Sequence, residues 1–189
     1  MVLARRASRL ALLLLLLGIL PAAPSSAGPR LTHEYDLKAA FLFHFAQFVQ
    51  WPPEALPEKN TPLTIGILGE DPFGKSLDEI VANESVGGHK LLVRRFQRLS
   101  QADSCHILFI SSSEKGRMDE VLSRVNRRSI LTVGETKDFA QRSGIIGFVV
   151  AEKRLRLAVN LAAANVARLR ISSKLLRQSE IVGPLRLQE

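Results

Sequence analysis

Cysteine is almost absent from this 189-residue chain. Cys105 stands alone, so no disulfide can close within the molecule. It falls in an apolar run and reads as a buried, inert thiol, with pairing to a second chain as the other reading. The four histidines, His33, His44, His89 and His106, are scattered and none forms an i, i+4 pair, so no local metal motif exists. Cys105 and His106 are neighbours, but neighbours on a strand point to opposite faces and cannot make a nucleophile–base pair. No G-x-S-x-G occurs, and the serines at 111–113 read as a helix cap. Gly66, Gly69 and Gly74 do not have dinucleotide spacing, and Glu70 and Asp71 put negative charge where a phosphate would sit. The carboxylates are dispersed. No catalytic residue, metal ligand or cofactor site can be named, and the chain reads as non-enzymatic.

Long apolar runs are also lacking, except at the start. Arg5, Arg6 and Arg9 precede an apolar segment over residues 10–20, followed by small residues with a cleavage pattern ending at Ala27. The pattern predicts a signal peptide over 1–27 and export of residues 28–189 as one domain. An uncleaved anchor is the other reading.

Charge is uneven. Residues 28–150 carry 15 basic and 15 acidic side chains, whereas 151–189 carry eight basic and three acidic ones, so the excess positive charge lies at the C-terminal end. Arg168, Arg170, Lys174 and Arg177 follow an Ala-rich segment there. Such a patch can meet an acidic protein surface or anionic lipid, or can remain solvated. Export makes nucleic acid the least fitting partner.

What the chain does have is concentrated in residues 35–52, YDLKAAFLFHFAQFVQWP, which hold six of its eleven aromatic residues. At ~100° per residue, Leu37, Phe41, Leu42, Phe45, Ala46, Phe48 and Val49 form a broad apolar arc of a helix that Pro52 and Pro53 would end. Its apolar stretch of about eleven residues is well short of the ~20 needed to span a bilayer, so it reads as a core helix. Phe43 falls on the narrow polar stripe beside His44 and Gln47. It is a candidate contact for a second chain, or a residue covered by a neighbouring loop.

The remainder alternates. Strands are predicted at 63–69, 90–96, 104–110 and 129–133, with helices at 75–82, 114–125 and 136–141. A hairpin follows over 145–150 and 155–160, then helices at 160–168 and 174–180. The fold class is α/β: a single-domain sandwich on a largely parallel sheet, with an antiparallel edge hairpin and helices on both faces.

Five ordered blocks carry a family resemblance. They are YDLKAAF at 35–41 with F-V-x-W-P at 48–52, LTIGILG-x-DPFG at 63–74, CHILFIS at 105–111, LTVGE at 131–135, and Asn160 through SSKLL at 172–176. The chain resembles the YfiR family of exported bacterial repressors. The resemblance implies a periplasmic protein that binds the periplasmic sensor domain of an inner-membrane diguanylate cyclase and lowers cyclic di-GMP signalling. It further implies a homodimer, and a peptidoglycan-associated outer-membrane lipoprotein as a possible second partner. Better-known members carry cysteine pairs, whereas only Cys105 is present here. The residues expected to meet a partner are Phe43, Arg168, Arg170 and Lys174. The rival reading is a small-ligand sensor or carrier using the sheet edge around Gly69 to Gly74.

Overall fold

The computed structural model describes residues 29–58 and 60–183; the predicted signal peptide lies outside them. The chain opens with α1 (Pro29–Phe48), whose Ala39, Leu42, Phe45 and Ala46 are buried on the sheet. Full burial of side chains such as Leu42 and Phe45 contributes about 1.5–3 kcal/mol each. The helix stops three residues ahead of the expected Trp51–Pro52 break. The cause is pairing of β1 (Val49–Gln50) with β9 (Arg170–Ile171), which draws the chain into an extended path.

The main sheet begins with β2 (Leu63–Leu68), buried at every position as a central parallel strand should be. It continues through α2 (Ser76–Val81), β3 (Ser85–Val86), β4 (His89–Phe96) and β5 (Ile107–Ile110). A 3-10 stretch (Ser112–Arg117), capped by the Ser111 hydroxyl, leads into α3 (Met118–Val125). Then come β6 (Leu131–Gly134), β7 (Ile146–Ala151), β8 (Arg154–Val159), α4 (Leu161–Val166), α5 (Ser173–Leu176) and β10 (Ser179–Ile181). The eight strands lie in the order β10-β8-β7-β6-β5-β2-β4-β3. The five from β7 to β4 are mutually parallel, and the β7–β8 hairpin turns at Glu152 and Lys153, both left-handed. β10 adds parallel to β8, so the hairpin lies one strand in from the edge.

Alternation along the strands divides the core. Ile65, Ile67, Ile107, Phe109, Leu131 and Val133 pack with α1, α2, α4 and α5 on one face. Leu108 and Ile110 pack with α3 on the other, together with Phe96 and Phe139. The fold is therefore the α/β sandwich expected, with helices on both faces.

Two local expectations fail. Residues 136–141 are turns, not a helix. Phe139 is buried, and a Cβ at Gly134 or Gly144 would fall well inside contact distance of its ring, so the two glycines make room for it. Asp138 and Ser143, on either side of that ring in the sequence, have positive φ, which a helix excludes. The final helix is also shorter than expected, because Ser179–Ile181 is taken up as an edge strand.

Candidate functional site

Arg168 and Arg170 line a groove of about 480 Å³. Its other wall is formed by Gln50, Trp51, Pro52 and Pro53, brought across by the β1–β9 pairing. The positive wall is built by the end of α4. Asn160 caps that helix by accepting the Ala163 N–H, and Ala-rich turns carry it to Ala167. There the Leu169 N–H donates to the Ala164 carbonyl and the Arg168 N–H to the Asn165 carbonyl. That pair of bonds is a Schellman closure, whose left-handed residue is usually glycine. Here it is Arg168, with φ of +57°. An L side chain in that conformation crowds its own carbonyl at a cost of roughly 1–2 kcal/mol.

The guanidinium gains little in return from the fold. Its carboxylate contact among the described residues is Glu54 at 3.8 Å, with both side chains more than 60% exposed. A pair of that kind contributes close to nothing. Arg168 also lines a second cleft of about 400 Å³ with Glu54, Asp103, His106 and Arg128, so it forms the ridge between two recesses.

The other expected partner residues lie elsewhere. Lys174 and Arg177 edge a separate groove of about 440 Å³ floored by Phe41, His44, Phe48 and Leu175. Phe43 is half-buried against the core, its ring 5.8 Å from that of His44. The structure thus joins Arg168 to Arg170, leaves Lys174 on a neighbouring surface, and packs Phe43 inward.

Several residues that sequence reasoning passed over tie the quoted blocks together. Lys38 is 3% exposed, and its ammonium donates to Glu135 at 2.6 Å, pairs with Glu34 at 2.6 Å and lies 4.4 Å from the Tyr35 ring centre. The Tyr35 hydroxyl donates to the other Glu135 oxygen. Burial alone would depress the Lys38 pKa, but the bonds and charges from Glu135 and Glu34 outweigh it and raise it. Burial, followed by the charge of Glu135, raises that of Tyr35. Lys38 is therefore a permanently charged pin between the first and fourth blocks. Trp51 donates its indole N–H to the His106 carbonyl, joining the first block to the third.

The backbone donors of the glycine turn after β2 are taken up within the fold. The Gly69 N–H donates to the Phe96 carbonyl, the Glu70 N–H to the Ser113 hydroxyl and the Phe73 N–H to Asp71. Arg95 then closes the turn by donating to Asp71, Asp78 and the Gly74 carbonyl. Cys105 is buried and gives its S–H to the Ala102 carbonyl, and burial pushes its pKa up to about 12. Cys105 and His106 both precede β5 rather than lie on it, and the His106 ring is bonded to the Thr64 N–H and the Ala55 carbonyl. Among the described residues no three His, Cys, Asp or Glu side chains gather as a metal site, and no helix is long and apolar enough to cross a membrane.

Two solved structures share part of this architecture at low identity. A conserved domain protein from Vibrio cholerae O1 biovar El Tor is 14% identical with a TM-score of 0.48, over 78% of this chain and 59% of its own. The ABC domain of Streptococcus pneumonia, solved in complex with L-Trp, is 12% identical with a TM-score of 0.46, over 63% and 55%. The chain spans less than two thirds of either, and likenesses so remote carry no functional argument. No curated protein matches the sequence. The family comparison is different in kind, covering the five blocks in order: residues 35–180 match the YfiR/HmsC-like family, and the chain belongs to it.

Proposed function

We propose that this protein is an exported, non-enzymatic regulator. It binds the periplasmic sensor domain of an inner-membrane diguanylate cyclase, holds that domain inactive and lowers cyclic di-GMP signalling. Family membership supports a periplasmic regulator rather than an enzyme. The 1–27 segment acts as the cleaved export signal, and residues 28–189 form the regulatory domain. A homodimer, and relief of repression by a peptidoglycan-associated outer-membrane lipoprotein, belong to the same reading.

The observation that carries the binding role is Arg168. A solvent-exposed arginine occupies a left-handed position where glycine would be more stable, and the fold gives it no strong partner among the described residues. Strain retained at an exposed charged residue fits a surface kept for a partner. The groove it shares with Arg170 and Trp51 suits an acidic, partly apolar surface. Repression then follows from linkage: the protein must bind the cyclase's inactive state more tightly than its active one.

The test is capture of a purified cyclase periplasmic domain by immobilised protein over a range of salt concentrations. Replacing Arg168 and Arg170 with Ala should weaken capture about tenfold or more, from ~1 kcal/mol for each exposed charge contact. The loss should shrink as salt screens the contact. Equal, salt-independent capture by the double variant would sink the groove as the binding surface. Lys174→Ala, on the neighbouring groove, serves as the internal comparison.

A further inference from the structure

The segment after Trp51 is fastened by two histidines. His106 lies just ahead of β5, 8% exposed. Its Nδ1 accepts the Thr64 N–H at 3.0 Å, and its Nε2–H donates to the Ala55 carbonyl at 3.0 Å. A backbone N–H can only donate and a carbonyl only accept, so these partners require a neutral ring protonated at Nε2. The Trp51 ring meets the imidazole edge-on, with centroids 6.4 Å apart. His89 on β4 fastens the far end by donating Nδ1–H to the Thr61 carbonyl at 2.8 Å. That bond is compatible with either charge state of His89. The pair of bonds made by His106 is not.

We propose that His106 is an acid-operated latch on residues 51–58, and that its protonation loosens the Trp51 wall of the basic groove. A proton on Nδ1 would face the Thr64 N–H donor to donor, in a buried place and at the second residue of β2. The ring would have to leave, and its bond to Ala55 would leave with it. Among the described residues the Ala55 carbonyl favours the charged form, and burial outweighs it. The cleft around the ring is lined by Glu54, Asp103, Arg128, Arg168 and the buried Cys105 thiol, with His89 beyond. Asp103 already meets Arg128 at 3.2 Å and Arg124 at 3.6 Å, and Glu54 is turned to Arg168. The remaining groups are neutral or cationic.

Burial holds the His106 pKa below the ordinary histidine value, the Ala55 carbonyl opposes this, and the charge of His89 adds to the lowering. The latched state therefore binds fewer protons than the released one. Latch stability is complete above the usual histidine pKa and declines as pH falls below it toward the buried ring's own value. The consequence for partner binding rests on the groove reading above, whereas the latch does not.

Trp51 is the chain's single tryptophan, so its emission reports the segment directly. On acidification the emission should shift toward that of a solvated indole and acrylamide quenching should rise several-fold, in a one-proton step, with far-ultraviolet dichroism unchanged. His89→Gln should keep the step and His106→Asn should abolish it. If His106→Asn does not fold, ring-nitrogen shifts of His106 and amide exchange of Thr64 in the unmodified protein give the same answer. Protonation of His106 with flat Trp51 emission would overturn the latch, as would an unchanged step in His106→Asn. Capture of the cyclase domain, followed through the same pH range, separates the two readings. A Trp51 step accompanied by lost capture supports both. A step with undiminished capture leaves the latch standing and overturns the groove.

Discussion

Replacing Arg168 with glycine should make the protein more stable and a poorer binder at once. The side chain at φ of +57° crowds its carbonyl by roughly 1–2 kcal/mol, and glycine removes that cost. Glycine also gives the unfolded chain more freedom, which returns about 0.4–1 kcal/mol. The contact to Glu54 spans 3.8 Å between highly exposed groups, so its loss adds little. The net gain is about 0.5–1 kcal/mol, a rise in Tm of ~1–4 °C for a chain of this size. Arg168→Ala is the necessary companion, since it removes the same charge but keeps the crowded Cβ. Both variants should lose about fivefold in capture of the partner domain, from ~1 kcal/mol for one exposed charge. Calorimetry or thermal dichroism, read beside the capture assay, gives both numbers. A glycine variant no more stable than the alanine variant would refute the strain. Undiminished capture would refute its purpose.

Two further outcomes test the interior. Glu135→Ala strands the Lys38 ammonium with only the half-exposed Glu34, and should cost about 3 kcal/mol in urea unfolding; in a double-mutant cycle, Lys38→Met should recover part of that loss, and strict additivity would mean the pair is not coupled. Cys105, with its thiol pushed up to about 12, should resist disulfide-exchange reagents at mildly alkaline pH in the native protein and react fully in denaturant, so rapid native labelling would contradict its burial.

Much of the fold is legible in periodicity because burial imposes it. The apolar arc of α1, the unbroken run of β2 and the α3 stripe of Met118, Val121, Leu122 and Val125 each report one neighbour surface. Short pieces are not legible. Val49–Gln50, Arg170–Ile171 and Ser179–Ile181 are strands only because a distant segment supplies their hydrogen bonds. The turn around Phe139 mimics a helix in composition, and only the empty Cβ positions of Gly134 and Gly144 explain its shape. The site divides in the same way. The basic residues at 168 and 170 are visible as charge, but the left-handed backbone of Arg168 follows from the Schellman closure. Lys38 and Glu135 lie 97 residues apart, so nothing local in either block announces the other.

The tie between α1 and the C-terminal segment bears on when the protein can fold. The Ser172 N–H donates to the Phe48 carbonyl, and Tyr35 reaches Glu135 across 100 residues. The first helix, besides packing on β2 and α2, is thus also held by residues made much later, and closing loops of that length is slow. A chain with this order of contacts cannot finish closing until nearly all of it exists. For the export proposed above, late closure would keep the chain threadable until the far side is reached.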